Sequence, residues 1–239
     1  LLEGGAHEAL ENCIAAAPFD GPNIEQYLRM VVCSIDFRSP HTVTHTITAQ
    51  SISEILARRM GLSETECYQI RYGALLHDLG KIAIPVEILE SPGALSKEEM
   101  EIMKTHVTLT EEILGDSIDP AVRDIAVRHH EKLDGTGYPR GLTGEALSQA
   151  QRIMAVADIV SALTGTRSYK KSFDKERVCS ILTQMKDSGK ICPHATGVML
   201  AEFDPIMQEV NHACAPTLDS YHSIQDEFKA LYNQYGNLQ

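Results

Sequence analysis

The chain has 239 residues, 43% of them hydrophobic and none of them tryptophan, a composition typical of a globular domain with a substantial core. Its formal net charge of −12 argues against duplex nucleic acid as a partner, because such proteins carry a basic surface, but leaves a small anionic ligand open. The sequence has no apolar run of membrane-spanning length and no C-x-x-C spacing among its six cysteines, so we expect a reducing, cytoplasmic location.

The first 22 residues contain Gly4-Gly5 and a stretch rich in proline and glycine at residues 18–22, a composition typical of linkers. We therefore expect residues 1–22 to connect an upstream region, such as a sensory or receiver domain, to the rest of the chain. Residues 23–239 are expected to form one domain.

Hydrophobic residues recur at helical spacing through most of the chain, and strand-like alternation is weak. One helix is predicted over residues 24–37. A longer helix begins at Pro40 and runs to about Met60, where Gly61 ends it.

A serine followed three residues later by glutamate predicts a capping box at Ser63 and again at Ser96. The first box opens a helix that ends near His77, and the second opens a helix that runs through Leu114. Loops are predicted to be concentrated at residues 80–93 and 134–144.

Further helices complete the pattern. Pro120 begins a helix that we expect to reach about His130, and another helix covers residues 149–163. Towards the C-terminus two or three amphipathic helices are predicted, with breaks near residues 189–193 and at Pro216. The predicted fold class is an all-α bundle with functional residues on loops and at helix ends.

His77 and Asp78 stand side by side at a predicted helix end, because Gly80 breaks the helix. An imidazole binds one divalent metal and a carboxylate can bridge two, so the pair suits a metal centre. An ordinary helix end with a solvated carboxylate explains the pair equally well, and Lys81 is favourable near a helix C-terminus in either case.

His41 and His45 lie four residues apart, so both rings project from one face of the long helix. They form either part of a metal site or a pair of surface histidines. His106 stands alone in the middle of its helix, a position more typical of a packing residue than of a ligand.

His129-His130 and Asp158 favour a metal centre more strongly. Two adjacent imidazoles ahead of a glycine-rich loop are costly to bury without a metal or an acceptor. Asp158 lies within an apolar helical stretch, where a carboxylate needs a cation or a metal ion as its partner.

Along residues 36–172 the motifs resemble, in order and spacing, those of an HD-GYP domain, a group within the HD phosphohydrolase superfamily. The ordered series makes the resemblance specific, whereas a lone His-Asp pair would not. The matching residues are His77-Asp78-Leu79-Gly80-Lys81-Ile82, Ile84-Pro85, Ile88-Leu89, Pro92-Gly93-Ala94-Leu95, His106, His129-His130-Glu131, Asp134-Gly135-Thr136-Gly137-Tyr138-Pro139, Gly141-Leu142, Ala157-Asp158 and Arg167-Ser168-Tyr169-Lys170.

The resemblance implies an HD-type helical bundle with a metal centre in the bundle core and loops at its mouth. It implies two or three divalent ions, iron or manganese, and hydrolysis of cyclic di-GMP through a hydroxide that bridges the metals, with Asp78 bridging two of the ions. The implied ligands are His45, His77, Asp78, His106, His129, His130 and Asp158, with His41 as an optional one.

The same resemblance implies catalytic roles for Asp78 and Lys81. These roles agree with the chemistry, because clustered cations lower the pKa of a bridging water and a fixed lysine stabilises developing negative charge. Contacts with the substrate, or with the mouth of its pocket, are implied for Lys81, Arg167, Lys170, Gly137 and Tyr138.

Two positions depart from the family pattern. His41 stands where members with three metals have a glutamate, and an imidazole cannot bridge two ions as a carboxylate can. We therefore expect a two-metal centre. Thr110, where many members have glycine, is the lesser departure.

The leading interpretation is a phosphodiesterase that converts cyclic di-GMP to linear pGpG, with GMP as a further product. One alternative is a catalytically weak regulatory domain that binds a cyclic dinucleotide or a protein partner without turnover. Another is a phosphodiesterase for a different cyclic dinucleotide. The helices of residues 173–239 are expected to pack on the catalytic bundle or to form a homodimer.

Overall fold

The computed structural model describes residue 32 and residues 40–91, 93–116, 118–165 and 173–235. From residue 40 onward the described residues form nine α-helices and two short 3-10 helices, and no described residue lies in a β-strand, which confirms the predicted all-α class. The α-helices are α1 (Pro40–Arg59), α2 (Glu64–Leu76), α3 (Val86–Leu89), α4 (Lys97–Leu114), α5 (Pro120–Val127), α6 (Gln149–Thr164), α7 (Lys175–Asp187), α8 (Pro193–Ala201) and α9 (Phe203–Tyr235). The 3-10 helices are Leu79–Ala83 and Gly144–Ala146.

Local capping explains where two of these helices begin. The Ser63 hydroxyl accepts a hydrogen bond from the backbone N–H of Glu66, whose carboxylate accepts one from the backbone N–H of Ser63, so the predicted capping box is confirmed. Ser96 and Glu99 form the same box ahead of α4. Each box satisfies backbone N–H groups that lack a partner within the helix, which fixes the first turn.

Two predicted boundaries differ from the structure. The helix that begins at Pro120 ends at Val127 rather than near His130, because Arg128 leaves the helical region with φ −117° and ψ 8°. The predicted loop at residues 80–93 is partly helical, since it contains the end of the first 3-10 helix and all of α3.

The C-terminal helix α9 continues through Pro216, so the break predicted there is wrong. The fixed φ of proline is compatible with a helix, and its missing N–H removes one backbone hydrogen bond rather than the whole element. Upstream of the proline, Ile206, Val210 and Cys214 are buried in the core and anchor the helix. The predicted break near residues 189–193 is confirmed, because α7 and α8 are separated there.

The predicted segment 1–22 lies outside the described residues, as does the predicted helix 24–37 apart from Val32, which is helical and buried. In the part of the chain that the structure describes, no helix combines the length and the apolar composition that crossing a bilayer requires.

Two apolar clusters fill the bundle. The main core joins α1 and α2 to α6, α7, α8 and α9, with large buried side chains that include Leu56, Leu182 and Met199. The second core lies between α2, α4 and α5, and its buried side chains include Leu75 and Val107. Helix α2 contributes to both cores, so its C-terminal end, which leads into the His-Asp pair, is held between them.

Candidate metal centre

Side chains from five parts of the bundle meet at the end of α2, and we call them the His/Asp cluster. They include every predicted ligand whose side chain the structure describes. His77 and His129 are fully buried, and Asp78 and Asp158 are nearly so. The members are His45 on α1, His77 and Asp78 at the end of α2, His106 on α4, His129 and His130 in the turn after α5, and Asp158 on α6.

The cluster contains two groups, each with three candidate ligand atoms that lie within 4.8 Å of one another. Imidazole nitrogens and carboxylate oxygens both bind divalent transition metals, so each group is a candidate site for one ion. The first group is His45, His77 and Asp78, and the second group is His106, His129 and His130.

Asp78 belongs to the first group and also faces the second. Its Oδ2 lies 3.1 Å from Nε2 of His77 and 3.6 Å from Nε2 of His45, whereas its Oδ1 lies 3.5 Å from Nε2 of His106. Among the described residues the buried Oδ1 has no hydrogen-bond partner. A buried carboxylate oxygen without a partner is costly, and a cation on that side would remove the cost. This geometry suits a carboxylate that bridges two ions.

Asp158 also reaches both groups. Its Oδ1 lies 3.1 Å from Nε2 of His45 and 3.8 Å from Nε2 of His77, and its Oδ2 lies 3.6 Å from Nδ1 of His130. The motif predicts a bridging role for Asp78 only. In the structure both carboxylates are placed between the two groups.

Three of the histidine rings are oriented by the same kind of hydrogen bond. In each ring Nδ1 contacts the backbone carbonyl three residues earlier, and because a carbonyl can only accept, Nδ1 carries the proton. The Nε2 lone pair therefore points into the cluster, as a metal ligand requires. The pairs are His77 with Ala74 (2.7 Å), His106 with Met103 (2.6 Å) and His129 with Ala126 (2.6 Å).

The ring nitrogens that face inward approach one another closely. Nε2 of His77 is 3.3 Å from Nε2 of His45, and Nε2 of His106 is 3.5 Å from Nε2 of His129. Two nitrogens that bind one metal ion at about 2.1 Å in a tetrahedral arrangement are about 3.4 Å apart. The spacing in both groups therefore fits a shared divalent cation.

Both carboxylates are anionic at neutral pH in spite of their burial. Burial raises the pKa of Asp78, but the charges of His77 and Lys81 outweigh this effect and hold the pKa well below its usual value. Burial acts on Asp158 in the same direction, and a hydrogen bond with His45 is the largest of the effects that hold its pKa well below normal. The anionic carboxylate is the form that binds a metal ion.

Burial keeps most of the histidine rings neutral. It lowers the pKa of His130 to about 3, and it lowers the pKa of His129 and of His106 below the ordinary value. Burial also acts to lower the pKa of His77, but the adjacent Asp78 carboxylate outweighs it, so that this pKa is raised. Neutral imidazole is the form that binds metal, and a cation beside Asp78 would favour that form at His77 as well.

Lys81 lies beside the cluster on the first 3-10 helix, with Nζ 2.6 Å from Oδ2 of Asp78. Its side chain is 21% exposed, so the ammonium is within reach of an anion that enters from solvent. Arg167 and Lys170 lie outside the described residues, and so does the side chain of His41.

Tyr138 and Gly137 belong to the loop that lies against the second group. The Tyr138 ring packs on the His130 ring with the centroids 4.7 Å apart, and burial raises the pKa of the phenol, so the hydroxyl keeps its proton. A Cβ atom on Gly137 would lie 2.4 Å from Cα of Glu131 and from the backbone nitrogen of Lys132. The loop passes so close to the backbone of residues 131 and 132 that position 137 requires glycine.

Glu131, for which the sequence predicts no role, holds this loop in place. Its buried carboxylate accepts hydrogen bonds from the backbone N–H groups of Arg140 (2.8 Å) and Leu142 (2.9 Å). A carboxylate directly ahead of a glycine-rich loop, where backbone N–H groups need acceptors, is the signal that indicates such a role.

Ser161, also without a predicted role, contacts His45 through its hydroxyl and stands one helical turn after the aspartate of α6.

Thr110, the lesser departure from the family pattern, supports the turn between α2 and the 3-10 helix. Its hydroxyl accepts a hydrogen bond from the backbone N–H of Gly80 (2.8 Å) and donates one to the carbonyl of His77 (3.2 Å). The turn passes close to α4, because a Cβ atom on Gly80 would lie 2.0 Å from the carbonyl oxygen of His106. Glycine and threonine together set the position of the His-Asp pair.

Comparisons with known proteins agree with this geometry. The sequence model of the HD domain family matches residues 29–194. The cyclic di-GMP phosphodiesterase response regulator RpfG of Xanthomonas campestris is 40% identical over 152 residues, which cover 62% of this chain and 40% of that protein. The 3'3'-cGAMP-specific phosphodiesterase 3 of Vibrio cholerae is 34% identical over 169 residues, which cover 68% of this chain and 36% of that protein. The chain thus spans less than half the length of these relatives.

A solved structure has the same fold. An HDG"Y"P protein from Bdellovibrio bacteriovorus superposes with a TM-score of 0.55 at 23% identity, over 68% of this chain and 53% of that chain. The residues that the family model matches include the whole His/Asp cluster. The chain therefore belongs to the HD domain family, and its motifs are those of the HD-GYP group within it.

Proposed function

We propose that this chain hydrolyses cyclic di-GMP to linear pGpG, with GMP as a later product, in a reaction that depends on two divalent metal ions. The observation that carries the proposal is the position of Asp78, whose two carboxylate oxygens face separate groups of histidines. A relative that is 40% identical and named for cyclic di-GMP hydrolysis supports the choice of substrate.

The first and second groups, together with Asp158, would hold the ions. Mixed imidazole and carboxylate ligands suit iron and manganese, which are the metals we propose. Divalent ions bound there would lower the pKa of a water molecule and stabilise negative charge on the phosphoryl oxygens. We propose two ions rather than three, because His41 stands where a three-metal site has a glutamate and an imidazole cannot bridge.

Lys81 would supply a fixed positive charge at the reacting phosphate. One of its three N–H donors bonds Oδ2 of Asp78, which leaves others for a phosphoryl oxygen. A cation held in this way stabilises charge that develops in the transition state without having to reorganise. By their motif, Arg167 and Lys170 are proposed to contact the phosphate or the guanine.

Tyr138 and Gly137 would shape the mouth of the pocket. The Tyr138 ring rests on His130, and its protonated hydroxyl can donate a hydrogen bond to a ligand. The close approach of Gly137 to the backbone of residues 131 and 132 fixes the path of the loop that carries the tyrosine. Both features place a rigid aromatic side chain next to the second group.

A second candidate substrate is 3'3'-cGAMP, because a relative named for that activity is 34% identical over 169 residues. The two dinucleotides differ in one base, so the same metal centre could act on either phosphodiester. An alternative of another class is a domain that binds a cyclic dinucleotide without turnover. The presence of both groups of candidate ligands favours the enzyme.

The test is incubation of reduced, metal-loaded protein with cyclic di-GMP, 3'3'-cGAMP and cyclic di-AMP, followed by chromatography of the products. We expect pGpG from cyclic di-GMP and the fastest turnover with that substrate. Asp78→Ala should give no product, whereas Asp187→Ala, which removes an exposed carboxylate outside the cluster, should match the wild type. Binding of a dinucleotide without product from any of the three would contradict the proposal and support the regulatory alternative.

We also propose that residues 23–239 form one domain that responds to an upstream sensory or receiver domain and that assembles as a homodimer. One relative is named as a response regulator, and this chain covers 40% of its length, which supports the upstream domain. Size-exclusion chromatography with light scattering checks the homodimer, and a mass equal to that of one 26.3 kDa chain would contradict it.

A further inference from the structure

Ser161 connects two members of the His/Asp cluster that lie on different helices. Its buried hydroxyl oxygen lies 2.9 Å from Nδ1 of His45 on α1 and 2.9 Å from the backbone carbonyl oxygen of Asp158 on α6. None of the ligand assignments that the motif implies includes this serine. It therefore lies outside the proposed ligand set and yet touches it at two points.

A metal ion bound at Nε2 of His45 determines which atom carries each proton. The proton of the neutral ring is then on Nδ1, and because the carbonyl of Asp158 can only accept, the Ser161 proton lies in the bond to that carbonyl. The Ser161 oxygen then accepts from Nδ1–H of His45. Without a metal ion, Nε2 of His45 can carry the proton instead and donate it to Oδ1 of Asp158, 3.1 Å away. An acceptor at Nδ1 favours the other tautomer, whose Nε2 lone pair is available to the ion.

His45 obtains its orientation in a different way from the other rings. His77, His106 and His129 each use a carbonyl of the same helix, three residues earlier. For His45 the acceptor is a side chain on another helix, 116 positions away in the sequence. A substitution at Ser161 can therefore change the tautomer of this ring alone.

We propose that Ser161 is a positioning residue for metal binding: it fixes the tautomer and the orientation of His45, and ties that ring to Asp158. The proposal rests on the proposed metal centre. Partners that hold a ligand histidine typically change metal affinity by about 10- to 100-fold when they are removed. The ion at the first group should depend on Ser161, and the ion at the second group should not.

The chain offers a matched control. Ser53 on α1 is also fully buried, and its hydroxyl also donates to the carbonyl three residues earlier, that of Gln50, at 2.9 Å. Ser53 is not part of the cluster. Ser161→Ala and Ser53→Ala therefore remove the same group from equally buried helical sites, and they differ in the contact with His45.

The experiment is anaerobic titration of the metal-free protein with Mn²⁺ by calorimetry, without substrate. We expect two equivalents in the wild type and in Ser53→Ala, and about 10- to 100-fold weaker binding of one equivalent in Ser161→Ala. Wild-type binding of both equivalents in Ser161→Ala would overturn the inference and leave the metal centre standing. Equal weakening in both variants would also overturn it, because it would reflect lost packing. No Mn²⁺ binding by the wild type would instead contradict the metal centre itself.

A second measurement needs no variant. Nitrogen-15 NMR of the histidine rings in Zn²⁺-loaded wild-type protein reports which nitrogen carries the proton. We expect Nδ1 of His45 to be protonated. A proton-free Nδ1 at His45 would overturn the inference even if Ser161→Ala failed to fold.

Discussion

The main core and the His/Asp cluster are both buried in the same bundle, but opposite kinds of contact fill them. In the main core, apolar side chains such as Leu182 and Met199 are fully buried, and each stabilises the fold by about 1.5–3 kcal/mol. In the cluster, histidine rings and two carboxylates are withdrawn from water, which costs free energy unless each has a suitable partner.

Helix α6 contributes to both regions. Ile153 and Val160 pack in the main core, and Asp158 on the same helix belongs to the cluster. The core therefore holds the polar side chains of the cluster in position. A metal ion bound there would offset the free-energy cost of burying them. The comparison predicts that stability and metal binding can be changed separately.

The largest effect is expected from Asp78→Asn, which changes the cluster and leaves the main core intact. The negative charge that faces both groups is lost although the side chain keeps its shape. Because metal ions supply several kcal/mol to such reactions, we expect phosphodiesterase activity to fall by about a thousandfold or more. Product formation, metal content and far-ultraviolet circular dichroism are measured together. Undiminished activity would contradict the role of Asp78 in the cluster. A loss of helicity that explains the lost activity would contradict the claim that the cluster can be changed without the main core.

Leu182→Ala should have the opposite pattern. The removal of a fully buried leucine from the main core is expected to lower the free energy of unfolding by about 2–5 kcal/mol. Below the unfolding transition, the variant should still bind Mn²⁺ like the wild type. Urea denaturation and calorimetry provide the two readings, and loss of metal binding by a folded variant would show that the regions are not separable.

Metal loading should stabilise the protein by an amount that does not depend on the main core. At a free Mn²⁺ concentration one hundred times the dissociation constant, we expect the free energy of unfolding to rise by about 2.7 kcal/mol per site. Leu182→Ala should show the same increment, since distant changes are additive. Urea denaturation with and without chelator measures it. A much smaller increment in the variant would indicate coupling between the regions.

Glu131→Ala should have the smallest effect of the four, because it changes the loop beside the cluster rather than the cluster itself. Two backbone N–H groups would lose their acceptor, which is expected to cost about 1–3 kcal/mol of stability. We expect the Michaelis constant to rise more than the turnover number falls. Glu112→Ala, which removes an exposed glutamate of α4, is the control and should match the wild type. An unchanged Michaelis constant in Glu131→Ala would remove this loop from substrate binding.

Short-range signals in the sequence account for much of the fold, and the resemblance to the HD-GYP motifs accounts for the membership of the cluster. The capping boxes at Ser63 and Ser96 depend on residues three positions apart, and such contacts form wherever the helix forms. The order of the motifs was enough to select His77 and Asp78, which packing arguments alone leave undecided. The structure adds the convergence of these side chains on one place.

Contacts between distant parts of the chain could not be predicted in this way. The Ser161–His45 bond joins two helices, and nothing in the local pattern of either residue indicates it. The Glu131 contacts depend on the folded path of the loop. At Pro216 the local rule predicted a break, but packing of the flanking helix prevailed.

Metal content of the anaerobically purified protein tests the two-metal centre most directly. Inductively coupled plasma mass spectrometry should find two equivalents of iron or manganese per chain, both in the wild type and in His41→Ala. Three equivalents that fall to two in His41→Ala would contradict the two-metal centre. Less than one equivalent in an active wild-type protein would contradict the metal centre as a whole.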